Sequence, residues 1–145
     1  MNKEASRALF DEQTKDFTDE LLQARNWRLF SREFPVLDVG FEATGRQPIR
    51  IRMQCDDWNE LPPVVTLLKL DGEILRPVPS GPPSIFHQGP HNVTSLPFVC
   101  MAGTREYHTH SSHISDPWDN YKTKSGYDLG GILTRIWNGW LKSTP

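Results

Sequence analysis

An α+β fold built on an antiparallel sheet is predicted by three features of this sequence. Helical spacing fills residues 3–25, apolar alternation fills much of 37–70, and a second helical pattern covers 129–141. Strands gathered between two helices, instead of alternating with them, exclude a parallel doubly wound sheet.

Taken in order, Ala5, Leu9, Phe10, Phe17, Leu21 and Ala24 fall near helical spacing among Glu, Asp, Lys and Gln, which predicts one amphipathic helix over 3–25. Leu37, Val39 and Phe41 then alternate with Asp38, Gly40 and Glu42, the period of a half-buried strand. The clearest strand is Ile49 to Cys55. Ile49, Ile51, Met53 and Cys55 share one face, and Arg50, Arg52 and Gln54 point to solvent. Cys55 is therefore expected in the core, where a free thiol packs as a small hydrophobe. Val64 to Leu70 reads as a central strand ended by the Asp71-Gly72 turn. Pro77, Pro79, Pro82, Pro83 and Pro90 remove backbone donors and predict a long, stiff loop over 76–90. Leu129, Ile132, Leu133, Ile136, Trp137, Trp140 and Leu141 mark a closing helix with a wide apolar stripe, its start blurred by Gly126, Gly130 and Gly131.

No linker, repeat or low-complexity stretch divides the 145 residues, so a single domain over 1–145 is expected. The net charge of -2 argues against a nucleic-acid partner, which calls for a basic face. The longest apolar stretch, Pro62 to Leu68, is too short to cross a bilayer. Met1-Asn2-Lys3-Glu4 opens a charged periodic segment without the pattern of a signal peptide, and the expected compartment is the cytoplasm. Cys55 and Cys100 are then expected as free thiols, and neither lies in a Cys-x-x-Cys pair.

Chemistry concentrates between Cys100 and His113. With 106–110 extended, Glu106, His108 and His110 share a face, with Tyr107 and Thr109 opposite. One carboxylate and two imidazoles with the Cys100 thiolate form a donor set suited to zinc. The same histidines suit acid/base work, and beside Cys100 they favour a reactive thiolate. Cys100 cannot serve as saturated zinc ligand and free nucleophile at one moment. Trp118 follows this segment as a candidate wall. No Gly-x-Ser-x-Gly or glycine-rich phosphate loop is present.

From Pro62 onward the order of features resembles the ubiquitin-conjugating (UBC-fold) enzymes. In that family a helix, a strand meander and a proline-rich stretch lead to a His-Pro-Asn motif and then the active cysteine. Here Pro82-Pro83-Ser84-Ile85-Phe86 leads to Pro90-His91-Asn92, and Cys100 follows. The motif departs in order, and the interval from Cys100 to Trp118 is longer than in the family. That interval carries Glu106, His108, His110 and His113, and it is similar to a small bacterial family named for a Cys-Glu-His-His signature and predicted to bind metal.

The resemblance implies a UBC-like fold with an active-site loop before the C-terminal helix. It also implies a role in bacterial ubiquitin-like conjugation of the kind tied to antiviral defence. Cys100 would carry the modifier as a thioester, Asn92 would steady the oxyanion, and His108, His110 or Asp119 would assist the incoming nucleophile. The implied partners are a ubiquitin-like modifier, its activating enzyme and a JAB-type deconjugating peptidase. Thioester transfer requires no cofactor. In the alternative, Cys100, Glu106, His108 and His110 hold zinc in a non-catalytic accessory domain; a metal-dependent hydrolase using Glu106 as base is a third option.

Overall fold

The computed structural model describes residues 2–145. The expected first helix is two helices, α1 (Lys3–Thr14) and α2 (Asp19–Arg25). Thr18 separates them because its side chain caps α2, accepting from the Leu21 N–H at 3.3 Å, and Asp19 and Glu20 follow in the first turn. An N-cap hydroxyl followed by acids is a helix-start signal that satisfies otherwise orphaned donors. The turn between the helices aims Phe17 at the core, with its ring 6.0 Å from that of Trp27.

Four strands follow as an antiparallel meander in the order β1 (Trp27–Glu33), β2 (Val36–Phe41), β3 (Ile49–Gln54) and β4 (Val64–Leu68). The α+β class with an antiparallel sheet is thus as the patterning implied. Register places Val39 opposite Ile51, and Ile51 opposite Leu67, so one face is continuously apolar. Cys55 lies in that core at 2% exposure.

The closing helix, α4 (Leu129–Lys142), covers this face. Its start is fixed by Asp128, whose side chain accepts from the Gly131 N–H at 2.8 Å. Leu129, Ile132, Leu133, Ile136 and Trp140 are buried, and the Trp140 ring lies 5.7 Å from Phe41. Gln13 joins three elements: its side-chain oxygen accepts from the Leu129 N–H at 2.9 Å and from Trp58 Nε1 at 3.1 Å.

Between β4 and α4 regular structure is scarce. A hairpin of β5 (Phe86–His87) and β6 (Phe98–Val99) is followed by α3 (Arg105–Thr109) and the 3-10 turns Ser111–His113 and Trp118–Asn120. The proline-rich loop is pinned at Ser80, which bridges to Thr144, and ends in β5. Gly139 permits α4 to approach it, since a Cβ there would run into the Ile85 side chain.

The outer sheet face differs from a plain solvated one. Asp38 is 2% exposed, and Arg50 grips it through Nε and Nη2, both at 2.8 Å. Arg52 adds a bond at 3.0 Å, and the Arg50 guanidinium also lies 4.0 Å from the Phe30 ring centre. Asp38→Ala leaves the 13% exposed Arg50 without its carboxylate and is expected to cost about 3 kcal/mol. Urea unfolding measures this, and a loss below about 0.5 kcal/mol would mean the clasp is energetically idle.

Candidate active site

Cys100 stands at the end of β6, where its N–H donates to the Ile85 carbonyl at 2.8 Å. The side chain is partly exposed, and its Sγ lies 3.4 Å from His113 Nε2. This is hydrogen-bond distance for sulfur. Partial burial pushes the Cys100 thiol up from its ordinary value by disfavouring the thiolate.

His113 reaches Cys100 because the chain between them is helical, not extended. Gly103 has φ +102°, a conformation that suits glycine, and its Cβ would crowd Ile132. Thr104 then caps α3, accepting from the Tyr107 N–H at 3.2 Å while its hydroxyl donates to the Val99 carbonyl at 3.0 Å. The expected extended 106–110 segment is instead helical through Thr109, with His110 extended as its cap, and the shared face of Glu106, His108 and His110 does not form.

Each of those residues has separate partners. Glu106 is 2% exposed, and its Oε1 accepts from the Val65 N–H at 3.0 Å. His108 Nε2 accepts from the Gly103 N–H at 3.0 Å, which leaves Nδ1 to donate to the Asp116 carbonyl at 2.8 Å. That arrangement requires the neutral ring, and burial pushes the His108 pKa down in agreement. His110 Nδ1 accepts from the Ser112 N–H at 3.2 Å, and its ring stacks on Phe98 with centroids 5.6 Å apart.

His91 is buried at 1% exposure. Its Nδ1 accepts from the Val93 and Thr94 N–H groups, so Nε2 donates to the Glu106 carbonyl at 2.7 Å. Asn92 is exposed, and its amide donates to the Thr109 carbonyl at 3.3 Å. Asp119 is exposed and pairs with Lys122 at 3.1 Å. Trp118 is buried, donates to the Asn59 carbonyl at 2.8 Å and lies 5.8 Å from the His108 ring, so it backs the site from beneath.

The zinc donor set does not fit this arrangement. Both His108 nitrogens are committed to backbone groups, and the Glu106 carboxyl faces β4. Among the described residues, no group of three or more His, Cys, Asp or Glu side chains is placed to hold a metal. Sequence reasoning left Tyr107, Asp116 and Tyr121 without a role and did not single out His113 among the clustered histidines. The Tyr107 ring stacks on His113 at 4.0 Å, and both phenols donate to Asp116 Oδ2, at 2.7 and 2.6 Å. These hydrogen bonds hold the Asp116 carboxyl down at about 2.

Burial pushes the Glu106 carboxyl up to about 7, against backbone hydrogen bonds that favour its charged form. The fold therefore favours the protonated acid. Its stabilising contribution is complete below the ordinary value of 4.5 and is lost as pH rises through about 7. Glu106→Gln keeps an acceptor for Val65 without a charge. Its stability relative to wild type should rise between about pH 5 and 8, by up to about 3 kcal/mol. Urea unfolding across that range tests this, and a pH-independent difference would contradict it.

Residues 86–144, from β5 into the end of the chain, match the Y4jH-like family. The uncharacterized protein y4jH of Sinorhizobium fredii is 39% identical over 46 residues, 32% of this chain. The matched stretch is 22% of that relative, so this chain covers about a fifth of its length. The family match takes in Cys100, Tyr107, His113 and Asp116 and leaves the four-stranded sheet outside it.

Proposed function

We propose that this chain is a ubiquitin-conjugating-enzyme-like protein that carries a bacterial ubiquitin-like modifier as a thioester on Cys100. The observation that supports it most is the Cys100–His113 pair, a partly exposed thiol with an imidazole nitrogen at 3.4 Å. The order of helices, antiparallel meander, proline-rich loop and cysteine-bearing hairpin is compatible with a UBC-like architecture.

In the first step the Cys100 thiolate attacks the modifier's C-terminal carbonyl, which the activating enzyme presents as its own thioester. A new C–S bond forms, and the activating enzyme's thiolate leaves. In the second step a target amine attacks the Cys100 thioester, Cys100 leaves as thiolate, and the amine proton passes to a base. His113 is the base this geometry favours, in place of His108, whose ring nitrogens are occupied. Asn92 would reach an oxyanion only by releasing the Thr109 carbonyl, a bond of 3.3 Å that is long enough to exchange. The modifier, its activating enzyme and a JAB-type peptidase of the same conjugation system are the proposed partners, in a cytoplasmic setting of antiviral defence. No observation favours the zinc-binding accessory domain over this reading.

Incubation with the modifier, activating enzyme and ATP of one such system should give an adduct that thiol reductants release. Cys100→Ala should abolish it, and His113→Gln should slow discharge of the adduct to a target amine on the order of a hundredfold. A normal adduct on Cys100→Ala would refute the assignment.

A further inference from the structure

We infer that Tyr107 is a positioning residue that holds His113 in register with Cys100, an inference that rests on reading Cys100 as a nucleophile. The Tyr107 and His113 rings stack face to face, with centroids 4.0 Å apart and planes at 15°. An unrestrained imidazole turns broadly about χ2, and each turn swings Nε2 away from its partner. A flat ring against its face removes that freedom while leaving the Nε2 edge open toward Sγ.

Tyr107 is itself fixed on two sides. Its phenol donates to Asp116 Oδ2 at 2.7 Å, and its ring meets the His108 ring edge-on at 4.9 Å. His108 is in turn tied to Gly103 and to the Asp116 carbonyl. Asp116 also closes the turn after His113, since its N–H donates to the His113 carbonyl at 3.0 Å. One residue thus sets both the backbone that carries His113 and the ring that orients it. Tyr107 touches no reacting atom; it acts through His113.

The test is alkylation by iodoacetamide at one fixed pH, which needs no modifier, with Cys100 and Cys55 followed separately by peptide mass spectrometry. Cys55 is buried and reports on loosening of the fold. Tyr107→Leu removes the stack and should slow Cys100 alkylation on the order of fivefold while Cys55 stays protected. Tyr107→Phe keeps the stack and should restore most of the rate. An unchanged Cys100 rate in Tyr107→Leu overturns the inference, as does an equal loss in Tyr107→Phe. So does a rise in Cys55 labelling that accompanies the change, because that marks a merely structural role. If Tyr107→Leu does not fold, Asp116→Ala loosens the same ring and should slow Cys100 about twofold; an unchanged rate there overturns the inference equally. A positive result with no modifier adduct would reject the conjugating role alone, and an adduct with no effect of Tyr107 would reject this inference alone.

Discussion

Between β4 and α4 regular strands and helices give way to turns, and the backbone groups those turns leave unpaired shape the site. The strands here are two residues long and the helix five, turns supply many of the remaining backbone bonds, and several N–H and C=O groups find side chains instead. Two neutral imidazoles supply the answer. His91 satisfies Val93, Thr94 and the Glu106 carbonyl, and His108 satisfies Gly103 and the Asp116 carbonyl. Each ring needs one bare and one protonated nitrogen, and the two use opposite tautomers. A protonated ring would lose the Val93 and Thr94 bonds at His91 or the Gly103 bond at His108, so these residues serve as staples.

With His91 and His108 occupied by backbone groups, His113 is the imidazole that faces sulfur. Cys100 is held by backbone pairing to Ile85, and Ile85 sits where Gly139 lets α4 come close. The helix that completes the core therefore also sets the depth of the thiol. Partial burial disfavours the thiolate, and in the proposed role the imidazole at 3.4 Å offsets that effect. On the proposed reading, the reactivity of this thiol depends on that one partner.

Much of the fold was legible because burial has a period. Alternation over 49–55 placed Cys55 in the core, and the stripe over 129–141 gave α4 nearly to the residue. Local signals were read less well: Thr18 before two acids breaks the first helix, and Gly103-Thr104 starts α3 where alternation suggested a strand. Asp38 looked solvated because its neighbours alternate, yet two arginines from β3 cover it. The site was legible as a segment and not as a pairing. Cys100 meeting His113 depends on a short helix, a 3-10 turn and an aromatic stack, and no periodicity encodes their sum.

In the proposed role, His113 supports the Cys100 thiolate. The most direct measurement is the ultraviolet thiolate titration of Cys100 in a Cys55→Ser background, with and without His113→Gln. A glutamine can hydrogen-bond to sulfur but cannot carry the charge. The thiolate is expected to form at higher pH in the glutamine variant. Superimposable titrations would contradict it.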